Sequence, residues 1–334
     1  MSIKIAINGF GRIGRQVFKR IIEKYPDLQV VAVNDLTDTK TLSHLLKYDS
    51  NYGVFDKEVG FGKDFISVDS KEYKVLAQPE PEKLPWKKLG VDIVLECTGF
   101  FRDEAGFKKH LKAGAKKVII SAPVKEKTIP GFVLGVNDDK LDIKNTDVMD
   151  MGSCTTNCLA VMVKVLHDNF KIIKGFMTTV HSYTNDQRIL DLPHRDLRRA
   201  RAAAMNIIPT STGASVSIGK IIPELEGKLD GIALRVPTPV VSILDLIVEV
   251  EKPTTKEEVN EVFKKAAERM QGVLRCEENE LVSLDFKGDH HSVIIDLPQT
   301  MVNGNLVKTM GWYDNEWGYS CRLAEFTDFV GKKL

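Results

Sequence analysis

The sequence predicts two unlike architectures in succession: an α/β domain on a mostly parallel sheet, then an α+β domain with a mostly antiparallel sheet. Three observations carry this. Short apolar strands alternate with helical segments through the first third, as in a parallel sheet with helices on its faces. After about residue 150 the strands alternate apolar and polar positions, as in a sheet with one wet face. The 334 residues suffice for about two domains at roughly 100–200 residues each.

In chain order, Ile3 to Asn8 reads as a strand, Arg15 to Lys24 as a helix and Gln29 to Asn34 as a second strand. Tyr73 to Leu76 and Val91 to Cys97 are further strands, followed by a Lys-flanked helix from Ala105 to Ala113 and a strand from Val118 to Ser121. Pro79, Pro81 and Pro85 fall in a charged loop, where proline removes no ladder hydrogen bond. In the second half, Ser153 opens an apolar helix running to about Leu166, and Ile172 to Val180 reads as a strand. In Leu244 to Glu251 the apolar positions are Leu244, Leu246, Val248 and Val250, with Asp245, Glu249 and Glu251 between them. Thr254 with Glu257 makes a capping-box pattern ahead of the stripe Val259, Val262, Phe263, Ala266, Ala267 and Met270, and Gly272 ends that helix. Asn303-Gly304 between two short apolar runs predicts a type I′ hairpin.

Composition excludes several classes. Lys+Arg 47 against Asp+Glu 46 leaves a net charge of +1, without the basic excess that nucleic-acid binding requires. No apolar run approaches the ~20 residues of a membrane span; the longest candidate, Val240 to Val250, is cut by Asp245 and Glu249. Lys4 and Arg12 flank a strand-like stretch, not the apolar core of a signal peptide. Five cysteines, an odd number, argue against a disulfide scaffold and for a reducing compartment, hence a cytoplasmic address.

Gly9-Phe10-Gly11-Arg12-Ile13-Gly14 follows the first strand directly and precedes a helix. Gly9 permits the tight turn, Gly11 lets the backbone approach a pyrophosphate, and Gly14 allows close packing of helix on strand. The helix N-terminus offers free N–H groups to the phosphates. Asp35, at the end of the second strand, is placed to take ribose hydroxyls. This is a Rossmann-type nucleotide-binding pattern, and the Asp35 carboxylate implies NAD over NADP, whose 2′-phosphate it would repel.

Ser153-Cys154-Thr155-Thr156-Asn157-Cys158 starts a helix, with Ser153 as N-cap and Cys154 in the first turn, where the dipole favours a thiolate. His181, at the end of a strand-like run, can project toward a cleft, where an imidazole near the thiol would lower its pKa further and exchange protons with a substrate; spacing alone does not bring the two together. Cys158, followed by Leu159 and Ala160, reads as inert core, and two thiols at i,i+4 without further ligands make no metal site. Three segments point to anions: the basic run His194 to Arg201, the hydroxyl-rich Thr210-Ser211-Thr212-Gly213 before a helix, and Arg235 in Arg235-Val236-Pro237-Thr238-Pro239, read as a rigid turn between two strands. Together they suggest a phosphorylated substrate.

These residues resemble phosphorylating glyceraldehyde-3-phosphate dehydrogenases, essentially end to end. The resemblance runs through Asn8 to Arg15, Asn34-Asp35-Leu36-Thr37, Ser153 to Cys158, His181-Ser182-Tyr183-Thr184, Asp191-Leu192-Pro193, Arg198 to Arg201, Arg235 to Pro239 and Trp312 to Tyr319. It implies Cys154 as the nucleophile, passing through a thiohemiacetal and a thioester, with His181 as its acid–base partner. It implies Thr184 and Arg235 at the substrate's C3 phosphate, and Ser153, Thr155, Arg199, Thr212 and Gly213 at the attacking inorganic phosphate. Arg12, Ile13, Asp35, Thr98, Ser121 and Asn315 would contact NAD, and Leu36 and Pro193 match the NAD-preferring form. The family resemblance further implies a homotetramer in which residues 183–205 line a neighbour's cofactor site. The expected domains are 1–150 for NAD, completed by a helix over 318–334, and 151–317 for catalysis and oligomerisation.

The chain departs from the family pattern in Asp150-Met151-Gly152 before Ser153, in Val161 and in Cys321. An inward-facing Asp150 would raise the thiol pKa, so it is expected to face away. Oxidation of erythrose 4-phosphate uses the same parts, and a non-catalytic NAD-binding thiol redox sensor is the alternative from another class. Acyl-phosphate-reducing semialdehyde dehydrogenases share the Cys–His logic, but they prefer NADP, against Asp35.

Overall fold

A computed structural model describes residues 2–334 apart from 102, 125 and 127. The chain divides into two units: Met1–Phe132 with Lys140–Met151 and Leu323–Leu334, and Val133–Asp139 with Gly152–Arg322. Among the described residues, no helix is long and apolar enough to cross a membrane.

The first unit is built on an eight-stranded sheet. Its spatial order is Val148–Asp150, Lys117–Ile120, Ile93–Glu96, Ile3–Asn8, Leu28–Asn34, Lys71–Leu76, Phe65–Val68 and Val59–Phe61. The first six strands run parallel, and the last two join antiparallel at one edge. The chain passes from Ile3–Asn8 to its neighbour on one side and later returns on the other. The order therefore reverses between Ile3–Asn8 and Ile93–Glu96, and such a crevice at the carboxyl ends of the strands is where these sheets bind ligands. Strands buried on both faces explain the unbroken apolar runs: Ile93–Glu96 and Lys117–Ile120 are buried at every position. The helices Arg12–Lys24 and Glu104–Lys112 begin and end within a few residues of their expected bounds.

The second unit holds a seven-stranded path, with Ile208–Ser211, Leu229–Val236, Ile172–Ser182, Ser242–Val250, Leu306–Tyr313, Val293–Asp296 and Leu274–Glu277 in spatial order. Most pairs are antiparallel; Ile172–Ser182 with Leu229–Val236, and Leu274–Glu277 with Val293–Asp296, are parallel. Leu244, Leu246, Val248 and Val250 all face the core, joined there by Leu159, Met162 and Leu166 of the helix Cys154–Phe170 and by Val259, Phe263 and Ala266 of Lys256–Arg269.

Three local expectations need correction. The capping box is Thr255 with Glu258, one residue later than read, because Thr254-Thr255-Lys256-Glu257-Glu258 offers two frames of the same pattern. The hairpin forms, but Asn303 still pairs with Leu306, so Gly304 and Asn305 make the loop. Only Gly304 has a positive φ (63°), which is the type II′ arrangement and not type I′. Arg235 belongs to the strand Leu229–Val236; the proline turn begins after it.

Candidate active site

Ser153 caps the helix Cys154–Phe170, its Oγ accepting the Thr156 N–H at 3.0 Å, and this puts Cys154 at the first helical position. The strand Ile172–Ser182 carries His181 to the same place: His181 Nε2 lies 3.5 Å from Cys154 Sγ. Parallel pairing sets His181 beside Arg235, and Arg235 Nη1 comes within 2.8 Å of His181 Nδ1 and 3.1 Å of the Ser182 carbonyl. His181 Nδ1 is itself 2.7 Å from that carbonyl oxygen. Two contacts compete at Nδ1: the Ser182 carbonyl accepts a proton from it, which leaves the Nε2 lone pair facing the thiol as a general base requires, whereas Arg235 Nη1, which only donates, favours the proton on Nε2.

Electrostatics correct one expectation. A helix start alone lowers a thiol pKa; here burial raises it, and the Arg235 guanidinium and Thr155 only partly oppose this. Burial, reinforced by Arg235, also pushes His181 down to about 3 against the hydrogen bond to Ser182. Thiol and imidazole are therefore both neutral at pH 7. The Asp150 carboxylate is buried in the first unit and accepts the Val124 N–H at 2.9 Å.

Two of the residues expected at anions, Thr184 and Arg199, meet at a carboxylate that carries no signal in the sequence. The Thr184 hydroxyl and Arg199 Nη1 both bond to Asp186. Burial works against this carboxylate, yet Thr184, Arg199 and Arg235 hold it below its ordinary range. The cluster thus already stabilises one anion. Arg199 is further fixed by Thr210 Oγ1 at 2.9 Å and the Ser211 carbonyl at 3.2 Å. Thr212 Oγ1 accepts the Ala214 N–H, with Gly213 as N-cap of the helix Ala214–Ile221. Thr155 is buried, and its hydroxyl meets Tyr313 Oη at 2.8 Å; Tyr313 Oη also meets Thr179 Oγ1 at 2.8 Å, and its ring stands edge-on to His181. Tyr313 gave no sequence signal beyond its place in the Trp312 to Tyr319 run. Asn315 is buried, its Oδ1 accepting from Ser182 Oγ at 2.9 Å and Ser242 Oγ at 3.1 Å, which leaves its amide N–H groups as donors.

In the first unit, Gly9, Gly11, Arg12, Ile13, Gly14, Asp35, Thr98 and Ser121 all lie just past the carboxyl ends of parallel strands. Gly9 has φ +92°, and a Cβ there would come within 2.7 Å of the Thr98 backbone nitrogen; one at Gly14 would collide with the Gly9 carbonyl. A Cβ at Gly11 would meet nothing within 4 Å, so the space beside it is open to a ligand. Asp35 accepts the Phe10 N–H at 2.8 Å, tying its carboxylate to the glycine turn, and Arg12 pairs with Asp49 at 2.7 Å. This donor-rich turn and its carboxylate fit a dinucleotide. Elsewhere Asp289, His290 and His291 bring three potential metal ligands within 4.8 Å of one another, but Arg275 already lies 3.3 Å from Asp289.

Comparison with known proteins bears on both units. Residues 3–104 match the family model described as glyceraldehyde 3-phosphate dehydrogenase, NAD binding domain, and residues 153–315 match that of its C-terminal domain. Glyceraldehyde-3-phosphate dehydrogenase of Streptomyces coelicolor is 55% identical over 337 residues, covering all of both chains. The Geobacillus stearothermophilus protein of that name is 56% identical over 335 residues, covering all of this chain and 99% of the relative. Glyceraldehyde-3-phosphate dehydrogenase 1 of Bacillus subtilis is 55% identical with the same coverage. With a thiol and an imidazole paired at a helix start, an anion cluster beside them and likeness along the whole chain, this protein belongs to the glyceraldehyde-3-phosphate dehydrogenase family.

Proposed function

We propose that the chain oxidises D-glyceraldehyde 3-phosphate with NAD⁺ and inorganic phosphate, giving 1,3-bisphosphoglycerate and NADH, a step of glycolysis and gluconeogenesis. The carrying observation is the approach of Cys154 Sγ to His181 Nε2 at 3.5 Å. His181 Nε2 takes the thiol proton as the sulfur adds to the aldehyde carbon, and returns it to the new oxygen, forming a thiohemiacetal. In the oxidation it takes the hydroxyl proton, and a thioester on Cys154 remains. When bound, NAD⁺ supplies the hydride acceptor for that step. A phosphate oxygen then attacks the thioester carbon, the C–S bond breaks, and His181 gives its proton back to sulfur.

Thr184 and Arg235 hold the C3 phosphate in this reading, and Ser153, Thr155, Arg199, Thr212 and Gly213 serve the attacking phosphate. Gly9, Gly11, Arg12, Ile13, Gly14, Asp35, Thr98 and Ser121 hold NAD, and Asn315 donates its amide N–H groups to the nicotinamide carboxamide. Residues 1–150 with the terminal helix form the nucleotide domain, and 151–317 the catalytic and oligomerisation domain. The protein works in the cytoplasm as a homotetramer. The exposed apolar side chains Ile189, Leu190, Leu192, Leu197, Met205 and Ile207 support that assembly, since a lone chain gains nothing by leaving them wet.

The test is NADH formation from glyceraldehyde 3-phosphate, with and without phosphate, in wild type and Cys154→Ser. Phosphate-dependent turnover that falls to background in the variant is expected, because a serine hydroxyl is a far weaker nucleophile. Faster turnover of erythrose 4-phosphate, or NAD binding without turnover, would replace this reading with one of its alternatives.

A further inference from the structure

A chain of buried hydrogen bonds crosses the carboxyl ends of the parallel strands in the first unit and converges on Glu96. Trp86 Nε1 donates to His110 Nδ1 at 3.0 Å, which fixes the ring proton on Nε2; that nitrogen donates to Glu96 Oε2 at 3.0 Å. Asn8 Nδ2 donates to the same oxygen at 2.6 Å, and Asn34 Nδ2 donates to Asn8 Oδ1 at 2.7 Å. The other oxygen, Oε1, accepts the Thr98 backbone N–H at 2.8 Å and also the Thr98 hydroxyl. Asn8, Trp86, Glu96 and His110 are each no more than 2% exposed. A carboxylate this deep is costly unless its lone pairs are used, and here four donors meet two oxygens.

The network ends on Thr98, which is exposed and abuts Gly9 of the glycine turn. The hydroxyl proton of Thr98 is committed to Glu96, and the Phe100 N–H, at 3.1 Å, takes one of its lone pairs. Toward a ligand, Thr98 Oγ1 can therefore only accept. A phosphate oxygen has no proton to offer it at neutral pH; a sugar hydroxyl or an N–H has.

We propose that Glu96 is a positioning residue for the cofactor. Held by His110, Trp86 and Asn8, it presents Thr98 as an acceptor to a hydroxyl or N–H of the bound dinucleotide. It also fixes the turn at Thr98 against Gly9 before the cofactor arrives. The inference rests on the reading of the first unit as the NAD site.

Calorimetric titration with NAD⁺ of wild type, Glu96→Gln, Thr98→Val and the double variant tests it. The amide that Glu96→Gln introduces must point a donor at a donor wherever it turns, so each single variant should weaken binding about tenfold. The double variant should be no weaker than the weaker single, because both act through one contact. Wild-type affinity in either single variant, or a double effect equal to the product of the two, overturns the proposal. Amide hydrogen exchange on the unsubstituted protein gives a second measure, free of folding effects. The Thr98 N–H should already be protected without NAD; free exchange that slows only when NAD is added overturns pre-positioning. A wild type that binds no NAD would instead defeat the assignment of the first unit.

Discussion

At Cys154 burial and charge act in opposite directions on one sulfur, and burial prevails. Its alkylation by iodoacetamide should therefore accelerate with pH to a midpoint above the free-thiol value of about 8.5. Arg235→Gln should move that midpoint higher still, since the guanidinium stabilises the thiolate; an acid-side plateau in the wild type would contradict both statements. His181 titrates in the unfolded chain near its ordinary value of 6.5 but in the folded one only at about 3. The unfolded state thus binds more protons between these limits. The ring's contribution to stability is present above pH 6.5 and is lost as the pH falls toward 3. Urea midpoints measured from pH 7 to 4 should fall less steeply for His181→Asn than for wild type. Tyr313 makes its case through two hydroxyls: Tyr313→Phe leaves Thr155 and Thr179 without their shared partner, which should cost about 1–3 kcal/mol in urea unfolding. If Thr155 serves the attacking phosphate, KM for phosphate should rise more than KM for the aldehyde.

Among the elements, the helix Lys256–Arg269 offers a clean test, because its capping box is remote in sequence from every candidate site residue. Thr255→Ala should cost about 1 kcal/mol of stability in urea unfolding with turnover unchanged; an unaltered urea midpoint would contradict the cap. The same helix shows what the sequence makes legible. Its stripe and its glycine stop are local patterns, and the structure follows them to within a residue or two. So are the glycine turn after Ile3–Asn8 and the Ser153 cap that brings Cys154 to a helix start. What could not be read is register between distant strands. His181 and Arg235 stand side by side because Ile172–Ser182 pairs in parallel with Leu229–Val236, and nothing local to either residue encodes that alignment. Asp186 was missed for a related reason: one acid in a polar loop has no period, and its role appears only when Thr184 and Arg199 fold around it. Desolvation of the half-buried thiol is not legible either, because a first-turn position specifies the dipole but not what packs over it.

For the whole molecule, the exposed apolar run from Ile189 to Ile207 leads to a measurable expectation. Sedimentation should give a particle of four chains, and Leu197→Asp should shift it toward smaller species. A monomer at all concentrations would remove the tetramer from the proposal. The division of the chain carries a different implication. Leu323–Leu334 belongs to the same unit as the first strand, with Leu323, Ala324, Phe326, Thr327 and Val330 fully buried and Phe326 stacked on Phe132. During synthesis that unit must wait, its core open on one side, until Leu323–Leu334 has cleared the ribosome. Whatever shields the nascent chain over that interval acts on a half that looks finished in the gene long before it is finished in space.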